Sequence, residues 1–279
     1  MKKTFITLFL LVSLTLQSQA FDFNLFKNDT REIKSILSSQ VKYANRLNFN
    51  KFISTYTEDY KNADGYNLDI YSKLIQELWQ NYNNIKYGVK IKDIQINDGI
   101  ATVKLIETSF ANIPISKNMP GILKSEADSV YYLRKDNGKW KVFSDKVIEE
   151  NTSMLYGDAV GMDIKLTAPK EVEPNYEYCA SLEFIPPKDT FAIASIAKDK
   201  VEYPQKQAKE VFRKLPDDNI LERLFISNTD NANEYIVASI GLTKADIKDM
   251  SIKLSLTGFG YQIIRVNVIS KEEKNVQNQ

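Results

Sequence analysis

The sequence predicts an α+β module, three helices on a bent antiparallel sheet, followed by an all-β sandwich. Two observations carry this. The apolar period falls from about 3.6 residues to 2 near Ile85, so helices come first and strands after. From Met162 onward the chain is a run of short β-type segments separated by proline and turn residues. At 279 residues the chain is long enough for two ordinary cores.

The amino terminus reads as a signal peptide over residues 1–20. Lys2 and Lys3 supply the positive end, Phe5 to Leu16 the apolar stretch, and Gln17-Ser18-Gln19-Ala20 a small-residue cleavage site. The apolar stretch falls short of the ~20 residues needed to span a bilayer, so cleavage after Ala20 is expected rather than anchoring. No cysteine lies near the cut, and no later stretch is apolar enough to span a membrane. The expected location is therefore periplasmic or secreted, with no transmembrane segment after cleavage.

The first module is placed at residues 21–157. After an aromatic leader, Phe21 to Asn28, Asp29 or Thr30 can cap a helix whose apolar face is Ile33, Ile36, Leu37, Val41, Ala44 and Leu47. Phe52, Ile53 and Tyr56 form a shorter helical stripe. Tyr71, Leu74, Ile75, Leu78 and Tyr82 form a third, with Leu68-Asp69 near its start. Ile85, Tyr87, Val89 and Ile91 then alternate with lysines. The phase slips at Lys92-Asp93, as at a β-bulge, and resumes with Ile94 and Ile96. Asn97-Asp98-Gly99 and Asp136-Asn137-Gly138 are hairpin turns. Ile100 to Phe110 is the strand after the first turn. Ser129 to Arg134 and Lys139 to Ser144 flank the second, with Val130, Tyr132, Trp140 and Val142 expected to face inward.

On that element order the chain resembles the NTF2-like superfamily, which includes SnoaL-like and ketosteroid-isomerase-like proteins. The resemblance covers Thr30 to Tyr156. It rests also on Phe49 to Tyr60, on Ile94 to Val103 and on Asp136 to Val142. It implies a cone whose curved sheet and helices enclose a cavity. In isomerase-like members a helix-1 tyrosine, an aspartate after the second helix and a strand aspartate share that cavity. Tyr43, Asp64 and Asp128 stand at roughly matching places. A carboxylate there could take a proton α to a carbonyl while Tyr43 and a protonated Asp128 donate to the oxyanion. Each residue also has a plainer reading: Tyr43 packs beside its stripe, Asp64 forms a turn with Gly65, and Asp128 is a solvated strand charge. Glu107 continues the phase of Val103 and Leu105 and could aim a carboxyl into the cavity. Tyr56, Tyr60, Trp79, Tyr132 and Trp140 are the other pocket candidates, as core or as ligand platform.

The second module is placed at residues 158–270, with a polar tail at 271–279. Its expected strands are Met162 to Ala168, Tyr176 to Ile185, Thr190 to Ala197, Ile220 to Ser227, Tyr235 to Leu242, Ser251 to Leu256 and Tyr261 to Ile269. Gln205 to Leu215 suits either a short helix or an irregular crossover. The runs Leu166 to Val172 and Tyr178 to Phe184 resemble bacterial immunoglobulin-like domains. Cys179 and Tyr178 alternate, and the thiol is the one expected inside.

Composition excludes much chemistry. The sequence has no histidine, which removes Ser-His-Asp and Cys-His catalysis and His-ligated zinc. One cysteine allows no intramolecular disulfide and no multi-cysteine metal site. Thirty-seven basic against 36 acidic side chains leave a net charge of +1, with no basic footprint for nucleic acid. No metal or cofactor is expected. The expected function is that of an exported, non-enzymatic binding or interaction protein. Its first module would bind a small apolar ligand or form a homodimer through the sheet, and its second would contact a protein or cell-surface partner. The alternative is an isomerase- or dehydratase-like enzyme using Asp and Tyr.

Overall fold

The computed structural model describes residues 28–270, apart from 207, 208, 249 and 250. The expected signal peptide, most of the leader and the polar tail lie outside the described residues. No helix among those described is long and apolar enough to cross a membrane.

Three helices open the chain: α1 at residues 28–44, α2 at Phe49–Ile53 and α3 at Leu68–Asn81. α1 buries Ile33, Leu37, Gln40 and Ala44, a stripe one helical face wide. Asn48 caps α2 by accepting the Lys51 N–H at 3.2 Å, and Asn67 caps α3 by accepting that of Ile70 at 3.0 Å. Asn45, just past α1, clamps the helix to the sheet. Its amide accepts from the Tyr87 N–H at 2.8 Å and donates to the Tyr87 carbonyl at 2.9 Å.

Four antiparallel strands follow: β1 Lys86–Asn97, β2 Ile100–Asn112, β3 Gly121–Asp136 and β4 Lys139–Gly157. Asp98-Gly99 and Asn137-Gly138 both take positive φ at their two positions, as two-residue hairpins require. The slip read at Lys92-Asp93 is a register shift between Ile91 and Asp93. One expectation is corrected. Around the second turn the buried residues of β3 are Ser129, Tyr131 and Leu133, and the half-buried Val130 and Tyr132 lie on the other face. The alternation of β3 is unbroken, but both of its faces carry apolar side chains there, so composition alone does not show which set turns inward; the two register shifts opposite it bulge β4, at Phe143 and Ile148. Trp140 and Val142 are buried as expected.

The remaining strands are β5 Ile164–Thr167, β6 Glu171–Val172, β7 Glu177–Phe184, β8 Phe191–Lys200, β9 Arg213–Lys214, β10 Ile220–Ile226, β11 Glu234–Lys248 and β12 Ser251–Val268. Gln205 to Leu215 is irregular apart from β9, with no helix among its described residues. Two predicted strands, Ser251 to Leu256 and Tyr261 to Ile269, are one continuous β12. The glycines between them serve close approach. A Cβ on Gly258 would lie 2.6 Å from the Ala159 nitrogen and 2.9 Å from the Tyr156 carbonyl oxygen. One on Gly260 would lie 2.5 Å from Leu155 Cδ2. Their bareness lets β12 lie against β4.

That contact joins the two halves. β12 pairs with β4 over Gly258–Ile264 against Asn151–Gly157, so one sheet runs in the order β1-β2-β3-β4-β12-β11-β8-β9. The sequence placed a boundary at residue 157, and the ladder continues across it. A three-stranded sheet, β10-β7-β5, packs over the C-terminal half. Two cores result, on opposite faces of the long sheet. Leu123 of β3 and Met154 of β4 meet the core under the helices, while their neighbours Ile122 and Leu155 meet the core under the small sheet. Tyr178, not Cys179, is the inward member of its pair: Tyr178 is 4% exposed and its hydroxyl donates to the buried Glu234 at 2.8 Å. Cys179 is exposed. The register of β7 puts Ala180, Leu182 and Phe184 inside, and the parity of Tyr178 follows theirs.

Candidate functional site

Between the three helices and the first three strands lies a cavity of about 90 Å³. Apolar side chains make most of its wall: Leu37, Val41 and Ala44 from α1, Phe52 from α2, Ile75 and Trp79 from α3, and Val89 and Leu105 from the sheet. The polar groups are few and converge. Gln40, Tyr56, Tyr71, Tyr87, Glu107, Thr108 and Tyr131 line it, with no lysine or arginine among the described lining residues.

Glu107 lies on the cavity wall, and the Tyr131 hydroxyl donates to its Oε1 at 2.7 Å. Burial raises its pKa above the ordinary carboxylate value, and the Tyr131 bond opposes that rise. Burial likewise pushes Tyr131 and Tyr56 well above the ordinary phenol value, so both are neutral donors at physiological pH. The Tyr56 and Tyr71 hydroxyls are 3.1 Å apart. The rings of Tyr56, Tyr60 and Tyr71 pack with centroids 5.0–5.4 Å apart. Behind them Tyr60 donates to Asp145, a carboxyl on β4 whose pKa burial raises to about 7, against the pull of the Tyr60 bond and with a further push from Glu107. The wall thus presents a few hydrogen-bond donors and acceptors, one of them a carboxyl, in apolar surroundings. It offers no counter-ion to an anion.

The structure brings Tyr56, Trp79 and Glu107 to the cavity and sets Tyr60 one layer behind. Trp79 is held by its indole N–H on the Tyr87 hydroxyl at 2.9 Å. Tyr132 and Trp140 do not line it. Tyr132 packs near Phe143 on the other face, and Trp140 donates to Asp29 at the start of α1 at 3.1 Å. Tyr43, Asp64 and Asp128 lie in three separate places. Tyr43 is half-buried beneath Lys51. Asp128 pairs with Lys92 at 2.5 Å in an exposed bridge. Asp64 is buried in the seam between the halves, ion-paired to Arg265 of β12 and accepting from Asn233 at 2.7 Å. Sequence reasoning missed Gln40, Tyr71, Tyr131 and Asp145 as site residues. Tyr71 was visible only as part of a helical stripe. Tyr131 was hidden by its neighbour Tyr132, an equally aromatic candidate for the inward face, and Asp145 by its polar neighbours Ser144 and Lys146 and by the β4 bulge at Phe143.

This is an α+β protein with a small, helix-covered cavity lined by one carboxyl and, among the described residues, no basic side chain. No group of His, Cys, Asp or Glu among the described residues is placed to hold a metal ion. No protein-family model and no curated protein matches the chain. Several solved structures are similar over less than half of it. Bd1075 of Bdellovibrio bacteriovorus is 14% identical, over 42% of this chain and 39% of that one, with a TM-score of 0.36. A conserved protein of Planctomyces limnophilus is 12% identical, over 43% and 94%, with a TM-score of 0.37. ActVI-ORFA of Streptomyces coelicolor is 13% identical, over 43% and 93%, with a TM-score of 0.33.

Proposed function

We propose that this chain is an exported, non-enzymatic binding protein. An NTF2-like, cone-shaped module, residues 21–157, takes a small and largely apolar ligand. An immunoglobulin-like sandwich, residues 158–270, presents the module to a protein or cell-surface partner or to a second copy. The observation that carries the reading is the cavity wall: Glu107 with Tyr131, and Tyr56 with Tyr71, set in aromatic and aliphatic side chains. At about 90 Å³ the space is well under the ~300–1,000 Å³ of sites for drug-sized ligands. The fitting ligand has few heavy atoms, no negative charge and one polar end. An isomerase- or dehydratase-like reaction would have to rest on Glu107 and its tyrosines, since Tyr43, Asp64 and Asp128 do not converge.

Native mass spectrometry of the protein purified from its source tests this. The expected result is a small neutral adduct that unfolding releases and that Glu107→Leu, in a chain that still folds, no longer carries. A wild-type chain free of any adduct would overturn ligand binding. Turnover of small ketones by wild type, lost in Glu107→Gln, would replace the binding protein by the enzyme.

A further inference from the structure

A second cleft lies on the helix-bearing face of the sheet, over its C-terminal half. Register places its floor. Thr152 of β4 stands opposite Ile263 of β12, and Ile263 opposite Val237 of β11. Tyr235 and Tyr261 lie two residues along on the same face. Met154, opposite Tyr261, belongs to the helix-side core, which fixes which face this is. The cleft holds about 350 Å³, within the range of small-molecule sites. The geometry points to a site for an organic cation: a primary amine or guanidinium carried on a small apolar or aromatic body.

The charges favour that class. Glu150, Asp199 and Glu210 line the cleft, and Lys206 is the one cation among its described lining residues. Lys206 is committed to Glu202 at 2.7 Å. None of the three carboxylates has a lysine or arginine within ion-pair distance among the described residues. Glu150 accepts only from neutral hydroxyls, Tyr235 at 3.2 Å and Thr152 at 3.3 Å. Glu210 accepts from the Ser239 hydroxyl and Asp199 from the Lys200 main-chain N–H at 2.9 Å. Glu150 is enclosed, and burial raises its pKa against the pull of the Arg265 guanidinium, which is itself ion-paired to Asp64 and not to Glu150. Two tyrosine rings on the floor add faces that attract a cation. The apolar strip of Val237 and Ile263 takes the ligand's hydrocarbon part.

The inference goes beyond the proposal for the helix-covered cavity, and its test separates the two. Phenethylamine and its neutral analogue 2-phenylethanol are titrated calorimetrically into the full chain at pH 7.5. The expected result is that the amine binds at least tenfold more tightly than the alcohol. Glu150→Gln, which keeps the shape and the Tyr235 contact, should weaken the amine about tenfold. Asp199→Asn should weaken it a few-fold, and Glu107→Gln should leave it unchanged. Thermal unfolding confirms that each variant folds, and if Glu150→Gln does not, Asp199→Asn decides. Equal affinity for amine and alcohol, no binding of the amine, or wild-type binding by the folded variants would overturn the site. Loss of binding in Glu107→Gln would move it to the other cavity.

Discussion

Asp145 shows how burial converts an ordinary carboxyl into a pH-dependent cost. Burial first, and Glu107 nearby, raise its pKa from 3.8 to about 7 in the folded chain, while the Tyr60 bond pulls the other way. Between those two values the folded state keeps a proton that the unfolded state has lost. Its contribution to stability is therefore full at about pH 4, falls as pH rises through the window and levels off above about 7. The slope is about 1.4 kcal/mol per pH unit for each such group. Glu107 and Glu150, raised by burial as well, steepen it. Asp59 and Asp158, lowered by hydrogen bonds to Arg134 and Lys244, act below this window. Urea midpoints should therefore be higher at pH 5 than at pH 7.5, and Asp145→Asn should flatten the difference; equal wild-type midpoints would contradict the account. Asp64 teaches a complementary lesson. Before Gly65 it reads as a turn residue or as a catalytic candidate. Its true partner, Arg265, stands on the last strand, and no local pattern connects the two. Of the cavity residues, Tyr56, Trp79 and Glu107 were legible because helix stripes and strand parity point them inward. Tyr131 was not, because Val130 and Tyr132 beside it make an equally apolar alternative face.

The ladder between β4 and β12 depends on residues without side chains. At Gly258 the atoms that an added Cβ would meet all belong to backbone, so none can swing aside. Gly258→Ala should destabilise the chain by about 1–3 kcal/mol, as overpacking does. Amide exchange should quicken over Gly258–Ile264 and Asn151–Gly157 while α1–α3 keep their protection. Unchanged exchange across that ladder would contradict this role of Gly258. The three helices, the first two hairpin turns and the bulge in β1 were readable, because each has a local signature: a 3.6-residue stripe, a turn triplet, a phase slip. The unity of β12 was not, since glycines that permit strand contact and glycines that make turns look alike in sequence.

The molecule as a whole is two cores on one sheet. Each core covers one half and one face, so the long sheet is the floor of one and the roof of the other. A chain ending at residue 157 would keep the helix-side core but expose the edge of β4 from Asn151 to Gly157, along with Ile122 and Leu155. An unpaired edge beside apolar side chains recruits other chains. Such a fragment should self-associate in analytical ultracentrifugation at concentrations where the full chain keeps one sedimenting species. A stably monomeric fragment would mean that the halves are independent.

Met154 and Leu155 are sequential neighbours that serve different interiors. Deleting one residue upstream of them in β4 would rotate both by half a turn of the pleat, so each would present itself to the wrong compartment at once. Tolerance of length variation should therefore be lowest in the middle of β4, far from either cleft. A genetic exchange that cut there could not pass on one half without unmaking the other.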